Sequence, residues 1–494
     1  MSIQNDVKKT IRYAKKNGCV AAFFATMERI QQRKTEQYVY VEPSEKDILF
    51  QKQYVFANPH KISILVPTYE TNPVFLRALV DSLQKQTYPN FELILADASE
   101  SGIVKNTVDN YTDARIIYQK LEKNDGISEN TNQALQYATG DYCGLLDHDD
   151  LLTQDALFEM AYAIEQAEQT GIMPAYLYSD EDKCDWEGKQ YFDYHQKQDF
   201  NLDLLLTNNY ICHFLVVETN LLKKTGFRKA YDGAQDFDLV LRLTQSCMGP
   251  FQIRTGTTQA EYQCGVKAIT KIQQGLGWIP KHKICHIPKV LYHWRCHTGS
   301  TADHPESKMY AYEAGRKALE DFYEQNHIHC EVIPSMHLGF YRAEYQGQLL
   351  EQREDIAAVG GLLVQNGKIV AGGYRKDGAI LYEQLPQYYA GAFNRAHLMQ
   401  DVDAVDIRFL KLAERWHAVY EEVVGIPYED AWKQSEKQMQ SGTQIRKTSV
   451  KQAAGRGIRQ FTEQQCREKS IALCREIRRQ GGRILLDPLY HCKL

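Results

Sequence analysis

The stretch Tyr142-Cys143-Gly144-Leu145-Leu146-Asp147-His148-Asp149-Asp150 is an apolar run that ends abruptly in three carboxylates. A short, wholly apolar run predicts a strand that is buried on both faces. Asp147 and Asp149 are two residues apart, so they project to the same side if the chain stays extended. Such oxygen ligands suit Mg²⁺ or Mn²⁺ shared with phosphate groups. The alternative is structural, because Asp150 or Thr153 could cap the following helix without any metal.

Further apolar runs alternate with helical patterns on both sides of this stretch. The predicted strands are 62–67, 91–96, 115–118 and 142–146, and the predicted helices are 72–83, 128–138 and 155–167. This alternation predicts an α/β domain with a mostly parallel, Rossmann-like sheet and helices on both faces. Ligands bind such sheets beyond the carboxyl ends of the strands. Pro67-Thr68-Tyr69-Glu70, Asp97 and the acidic cluster 147–150 fall at those ends.

Its length and its pattern of apolar and polar residues predict that the 494-residue chain has three units. Residues 1–58 are an N-terminal helical segment, and 59–325 are the main α/β domain. Residues 330–494 are a smaller C-terminal α/β unit, because the apolar run 356–364 is followed by the turn signal Asn366-Gly367 and a second short run.

Composition limits the class of protein. Lysine and arginine number 58 against 63 acidic residues, a net charge of −5 that argues against nucleic-acid binding. Twelve dispersed cysteines without a Cys-x-x-Cys pair indicate free thiols in a reducing cytoplasm. No apolar run reaches the ~18 residues of a membrane span, and the N-terminus lacks the apolar core of a secretory signal.

The apolar residues 20–24, Met27 and Ile30 can form one face of an N-terminal helix. The simpler interpretation is a helix that packs on the next domain. The alternative is peripheral contact with the inner face of the cell membrane, aided by nearby lysines and arginines. The sequence leaves the oligomeric state open, with a homo-oligomer among the options.

About half of the chain, 59–320, resembles the family 2 glycosyltransferases, which have the GT-A nucleotide-sugar-binding fold. The resemblance is carried by the segments 63–69, 91–99, 126–132, 140–142, 146–150, 178–183, 235–242 and 291–301. Several ordered motifs in one chain are more specific than a single Asp-x-Asp.

The resemblance implies a nucleoside site formed by Pro67, Thr68, Glu70, Asp97 and Asp125. Asp97 would accept the N3–H of uracil or thymine, because a carboxylate is an acceptor and the base imide is a donor. Ala96 departs from the family, since many members have an aspartate there.

The resemblance also implies a metal and diphosphate site. Asp147 and Asp149 would form the Asp-x-Asp motif that holds Mn²⁺ or Mg²⁺, with Asp147 also near the nucleotide. His297 would be a late metal contact, and His293 is the competing choice. Arg295 would add a cation at the diphosphate.

For the general base, the resemblance points to Asp236, because an inverting transfer needs one carboxylate to take the proton of the acceptor hydroxyl. The alternative is that Asp236 or Asp238 caps the following helix. The acidic group 180–182 either contacts the donor sugar or is a solvated turn. His213 is interpreted as a core histidine near the acceptor.

Two regions lack a clear role in the sequence. Residues 247–281 look like an insertion. The C-terminal unit resembles a degenerate second glycosyltransferase module, in which Asp401-Val402-Asp403 superficially repeats the acidic motif; acceptor binding or dimerisation are its expected uses.

The leading hypothesis is an inverting, metal-dependent glycosyltransferase. It would transfer a hexose or deoxyhexose from a UDP- or dTDP-sugar to a growing cell-surface polysaccharide or lipid-linked glycan. The alternatives are a nucleotide-sugar hydrolase and a catalytically inactive scaffold subunit of a polysaccharide assembly complex.

Overall fold

The computed structural model describes residues 10–11, 13–15, 17–35, 38–248, 277–279, 283–297, 309–430 and 457–494. The helices of these ranges are α1 (Cys19–Thr35), α2 (Glu45–Gln53), α3 (Pro73–Gln84), α4 (Ile103–Val108), α5 (Ile127–Gln136), α6 (Ala156–Glu168), α7 (Leu202–Leu205), α8 (Thr219–Thr225), α9 (Gln235–Met248), α10 (Met309–Gln325), α11 (Leu349–Gln352), α12 (His417–Val424) and α13 (Glu463–Arg479).

The strands of the same ranges are β1 (Ile62–Thr68), β2 (Phe91–Asp97), β3 (Ile116–Lys120), β4 (Tyr142–Leu145), β5 (Leu151–Leu152), β6 (Tyr176–Cys184), β7 (Tyr191–His195), β8 (Leu215–Glu218), β9 (Gly277–Ile279), β10 (Ile284–Arg295), β11 (Cys330–Pro334), β12 (Tyr341–Tyr345), β13 (Ile356–Gln365), β14 (Lys368–Ala371), β15 (Gly373–Tyr374), β16 (Gln400–Asp401), β17 (Ala404–Val405), β18 (Leu410–Leu412) and β19 (Arg483–Lys493).

The main sheet has the order β3-β2-β1-β4-β8-β6-β10-β5, with β7 beside β6 and β9 beside β10. Strands β1 to β4 are mutually parallel. Strand β8 lies antiparallel between β4 and β6, so β6 and its parallel neighbour β10 point the same way as β4. The predicted mostly parallel α/β sheet is confirmed.

Helices cover both faces of this sheet because its strands are apolar on both sides. Ile64 and Val66 of β1 pack in a core with α3 and α6. Leu65 points the other way, into a core with α5 and α9. Helix α3 begins as the sequence predicts, with the Asn72 side chain accepting the N–H of Val74 at 2.9 Å.

A second, smaller α/β unit follows the main domain, as predicted. Its strand β13 is parallel to β19 and antiparallel to β14 and β18. The β13–β14 turn is Asn366-Gly367, where both residues have positive φ, as a type I′ turn requires.

A buried ion-pair network joins the two units. Arg353, which is fully buried, bonds to Asp355 of its own unit and to Asp203 of α7. Arg483 reaches the same Asp203. The N-terminal helix α1 also docks on the C-terminal unit, since Glu28 accepts the N–H of Ala390 at 2.9 Å.

Some sequence predictions fall outside the described residues. They include most of the insertion 247–281 and the segment Gly299-Ser300-Thr301. The eleven described cysteines are all free thiols. Among the described helices, none combines the length and the apolar character needed to cross a bilayer.

Candidate active site

Strand register brings the predicted site residues to one edge of the main sheet. Thr68 at the end of β1 is the register partner of Asp97 at the end of β2. On the other side of β1, Leu65 pairs with Leu145 and its carbonyl accepts the N–H of Leu146 at 3.2 Å. The acidic loop 147–150 therefore leaves the sheet at the edge where Pro67 and Thr68 end β1.

Asp97 is fully buried and held in place by protein donors. Its Oδ1 accepts the N–H of Ser99 at 2.9 Å, and its Oδ2 accepts the hydroxyl of Tyr118 at 2.8 Å. Burial and the Asp97 carboxylate raise the pKa of Tyr118, so this phenol stays a donor. The hydroxyl of Thr68 also donates to Oδ1 at 3.4 Å, so three of the about four lone-pair sites of the carboxylate are used and one is left.

Glu70 shapes the loop that follows β2. Its carboxylate accepts the N–H groups of Glu100 at 2.8 Å and Ser101 at 3.0 Å, and its own N–H donates to Ser99. The hydroxyl and the N–H of Ser101 lower the pKa of Glu70. Glu70 thus fixes the backbone beside Asp97, and its direct contact with a nucleoside stays a prediction.

Asp125 lies in the loop before α5. Its N–H donates to Asn130, and its carboxylate is 3.0 Å from the ammonium of Lys123. The next residue, Gly126, has φ +97°, and a Cβ there would lie 2.5 Å from Oδ2 of Asp232. The turn beside Asp125 therefore requires glycine at this position.

The three carboxylates of the acidic loop differ in environment. The side chain of Asp147 is 51% exposed and that of Asp149 is 21% exposed, whereas Asp150 is 1% exposed. Asp150 accepts the N–H of Arg295 at 2.7 Å and the hydroxyl of Tyr292. Burial and the neighbouring Asp149 and Asp147 raise the pKa of Asp150 well above its ordinary value. A cation would relieve this crowding of like charges.

His297, and not His293, lies beside the acidic motif. Its Nε2 is 2.8 Å from Oδ2 of Asp149. His293 is buried, with its Nδ1 2.5 Å from Asp182 and its ring against Tyr191. Of the two histidines, His297 is therefore the one placed to join Asp149 in a metal site, and its role as a metal contact stays a prediction.

Arg295 holds the acidic loop in place through a hydrogen bond to its backbone. Its buried guanidinium donates to the carbonyl oxygens of Asp149 and Trp186 and lies 5.0 Å from the ring of Phe75. Its Nη2 has no hydrogen-bond partner among the described residues. A diphosphate contact through that atom stays a prediction.

His213, which the sequence analysis interprets as a core histidine near the acceptor, lies beside the acidic loop. It comes just before β8, whose antiparallel course beside β4 returns the chain to the acidic loop. One ligand atom each from Asp147, Asp150 and His213 lies within 4.8 Å of the others. Carboxylate oxygens suit Mg²⁺ or Mn²⁺ and an imidazole is a common metal ligand, so these donors fit a divalent cation.

Asp236 lies in the first turn of α9, half-buried, and faces the segment 209–213. Its Oδ2 accepts the side-chain N–H of Asn209 at 2.8 Å and the thiol of Cys212 at 3.1 Å. Burial raises the pKa of Cys212 to about 12, which keeps the thiol protonated and donating. Among the described residues, Oδ1 of Asp236 has no hydrogen-bond partner. This oxygen is the free acceptor that a general base needs.

Asp238 was weighed as the cap of this helix, but the structure gives it a different role. It lies inside the first turn of α9, and its buried carboxylate binds Arg242 at 2.7 Å and Arg228. It is therefore a buried ion-pair partner, with no part in capping.

The interpretation of 180–182 as a solvated turn is wrong. These residues belong to β6 and are buried. Glu181 is 3.0 Å from the ammonium of Lys197 and 3.2 Å from Nδ1 of His213. Burial alone would raise the pKa of Glu181, but Lys197 and the adjacent histidines hold it well below its ordinary value. Glu181 therefore anchors His213 as a carboxylate.

In the C-terminal unit, both aspartates of the motif Asp401-Val402-Asp403 form ion pairs with arginines. Asp401 pairs with Arg483 and Asp403 with Arg478. These ion pairs serve the fold of that unit.

The sequence comparisons agree with this arrangement. Residues 63–226 match the family model described as Glycosyl transferase family 2. The match supports the predicted resemblance of this part of the chain to the family 2 glycosyltransferases, and the sheet has the predicted mostly parallel α/β architecture.

Individual relatives cover parts of the chain. It is 37% identical over 264 residues to the uncharacterized protein y4gI of Sinorhizobium fredii, covering 53% of this chain and 25% of that protein. It is 31% identical over 290 residues to the O-antigen biosynthesis protein RfbC of Myxococcus xanthus, covering 58% of this chain and 20% of that protein. The chain thus spans a quarter or less of the length of these relatives.

Among solved structures, the crystal structure of S. aureus TarS 1–349 in complex with UDP aligns with a TM-score of 0.35 at 18% identity. The alignment covers 53% of this chain and 65% of that one.

Proposed function

We propose that the protein is an inverting, metal-dependent glycosyltransferase that moves a sugar from a UDP- or dTDP-sugar to a hydroxyl of a growing cell-surface polysaccharide or lipid-linked glycan. The observation that carries the proposal is the pairing of an acidic loop at the carboxyl edge of the sheet with a separate carboxylate, Asp236, whose Oδ1 is free among the described residues. The printed name of the relative RfbC, an O-antigen biosynthesis protein, supports a glycan acceptor.

The donor nucleotide would lie along the ends of β1 and β2. Asp97, fixed by Ser99 and Tyr118, would accept the imide N–H of uracil or thymine. The other bases also carry N–H donors, so the choice of a UDP- or dTDP-sugar follows from the family resemblance, and the donor panel below tests it.

Asp147, Asp149 and His297 would hold Mn²⁺ or Mg²⁺. Asp150 and His213 would be further candidate ligands, because one ligand atom of each lies within 4.8 Å of one from Asp147. When bound, the cation neutralises the charge that develops on the departing diphosphate. Arg295 keeps the loop in position through the carbonyl of Asp149.

Asp236 would act as the general base. As the acceptor oxygen forms its bond to the anomeric carbon, the bond to the diphosphate breaks, and the hydroxyl proton moves to Oδ1 of Asp236. Attack from the face opposite the diphosphate inverts the anomeric centre in one displacement, so no covalent enzyme intermediate is needed.

Helix α1 supports peripheral contact with the inner face of the cell membrane. It is anchored on one side by Glu28 and exposes Val20, Phe23, Met27 and Ile30. An apolar helical stripe beside cationic residues binds anionic lipid. Phe23→Ser should weaken co-sedimentation with phosphatidylglycerol vesicles, and unchanged co-sedimentation would remove this part of the proposal.

Nucleotide release from a panel of nucleotide sugars tests the activity, with and without an extract of lipid-linked glycans as acceptor. Transfer predicts release that rises with acceptor and requires Mn²⁺ or Mg²⁺. Release that ignores acceptor would indicate a hydrolase, and no release from any donor would indicate an inactive scaffold.

A further inference from the structure

A large cavity separates the main domain from the C-terminal unit, on the side of the site where Asp236 lies. Its volume is about 910 Å³. Ligand sites of about 300–1,000 Å³ are typical, and they occur preferentially between domains. Nothing in the proposed donor site uses this space.

The ion-pair network described above connects the two units that form the walls of this cavity. Asp203, itself a wall residue, is bonded to the buried Arg353 and to Arg483 of the C-terminal unit. Breaking such a pair is strongly destabilising, because it leaves an uncompensated charge in the interior. The walls are therefore held at a fixed spacing before any ligand arrives.

The walls combine aromatic rings with an arginine whose charge is already neutralised. The rings are those of Tyr323, Tyr341, Tyr345 and Tyr490. The charge of Arg342 is balanced by two bonds to Asp487, at 2.7 and 3.1 Å. An ionic ligand would compete with the Arg342–Asp487 pair. The hydroxyl groups of a neutral ligand can instead bond to the lone pairs and N–H protons that the pair leaves unused.

His397 adds a neutral polar group to the wall. Burial, together with the nearby His337 and His491, lowers the pKa of His397 to about 4, so the ring is uncharged at neutral pH. Its Nδ1 is buried and has no hydrogen-bond partner among the described residues. The wall at His397 is therefore polar but uncharged, which suits a neutral ligand better than an ionic one.

Two wall residues of the cavity lie next to the surroundings of Asp236, which itself is not part of the wall. Thr207 belongs to its wall, and Asn209, two residues later, donates to Asp236. The wall residue Tyr341 also stacks on Phe237, the neighbour of Asp236, with ring centroids 6.3 Å apart. A chain of sugars seated in the cavity could therefore place its terminal hydroxyl at Asp236.

We infer that this cavity binds a neutral oligosaccharide, the part of the acceptor glycan that precedes its reacting hydroxyl. The inference rests on the proposed transferase function and assigns the acceptor-binding role to the C-terminal unit. An acyl or prenyl chain fits less well, because it would desolvate Arg342, Glu344, Lys411 and His397 without offering them hydrogen bonds.

Saccharide binding to the full chain tests this inference directly. The probes are neutral di- to hexasaccharides released from purified bacterial O-antigen, followed by saturation-transfer NMR, with dodecyl phosphate as the lipid probe. We expect a saccharide to bind the wild type and to lose about tenfold in affinity in Tyr490→Ala, equivalent to about 1.4 kcal/mol. Ala343→Trp, which fills the cavity, should lose binding as well. Tyr137→Ala removes an exposed tyrosine outside the cavity and should bind normally.

Donor binding shows whether each variant is folded and whether the cavity and the donor site bind their ligands independently. Each cavity variant should keep the melting-temperature increase that a UDP-sugar with Mn²⁺ gives the wild type, and Asp149→Asn should keep saccharide binding. Absence of saccharide binding to the wild type, equal binding by the cavity variants, or competition by dodecyl phosphate would each overturn the inference. Saccharide binding in the cavity without any transfer would instead refute the proposed function alone.

Discussion

The imidazole Nε2 of His213 lies 4.0 Å from Oδ2 of Asp147, while its Nδ1 lies 3.2 Å from the buried carboxylate of Glu181. One histidine thus links the exposed carboxylate of the acidic loop to the interior of the sheet. Metal-ligating histidines commonly have such a carboxylate on their second nitrogen, which fixes the orientation of the ring.

Replacing His213 with Asn should weaken Mn²⁺ affinity about 10- to 100-fold, because a ligand and its orientation are lost together. Titration of Mn²⁺ by electron paramagnetic resonance measures this affinity. His195→Asn is the matched control, since His195 also contacts Glu181, at 3.3 Å. Equal effects of the two substitutions would mean that His213 acts only through the fold.

Lys197→Met should lower the free energy of unfolding by about 3–5 kcal/mol at pH 7, because it leaves Glu181 as a buried charge without its cation. Urea denaturation measures this change. Lys183→Met, which breaks the surface pair with Asp193, should cost less than about 1 kcal/mol. A similar cost for both would show that the buried pair adds little.

The Glu181 pair also gives stability a defined pH dependence. The folded-state pKa of Glu181 is held well below its ordinary value of about 4.3. Its contribution is therefore fully present above that ordinary value and is lost as the pH falls through the lower folded-state pKa. In Lys197→Met, the free energy of unfolding should depend less on pH over this range. An unchanged pH dependence would contradict the assignment.

Gly126→Ala should destabilise the loop that carries Asp125, because φ is +97° and the new Cβ would meet Asp232 at 2.5 Å. We expect a loss of about 1–3 kcal/mol in unfolding free energy together with weaker donor binding. Gly171→Ala is the control, since φ is +75° there and no atom lies within 4 Å. Equal losses would show that backbone strain alone is responsible.

Asp236→Asn should reduce transfer by about 10²–10⁴-fold, the usual contribution of a general base. Donor binding should survive, because Asp236 lies on the acceptor side of the site. The measurement pairs single-turnover transfer with the donor-induced change in melting temperature. Lost donor binding with normal turnover of bound donor would make Asp236 a structural residue.

The parallel core of the fold was predictable because its signal is local. Strand β1 is apolar at nearly every position, and Asn72-Pro73 marks the start of the next helix within the same few residues. The positions of Thr68 and Asp97 at one edge follow from the parallel pairing of β1 and β2.

His213 and the acidic group of β6 were not predictable because their environments depend on distant parts of the chain. Strand β8 is inserted antiparallel between β4 and β6, which brings His213 to the acidic loop. Asp182 is buried against His293, 111 residues away, and such a partner leaves no mark on the local pattern. A run of three acids then looks like a solvated turn.

The central claim is that the acidic loop and a divalent cation together hold a nucleotide sugar. Its most direct test is the melting temperature of the wild type and of Asp149→Asn, titrated with UDP-glucose and a panel of other UDP- and dTDP-sugars, with Mn²⁺ or with EDTA. Ligand that binds only the native state raises the melting temperature by mass action. We expect an increase for at least one donor only with Mn²⁺ and only in the wild type. An equal increase in EDTA, or in Asp149→Asn, would contradict it.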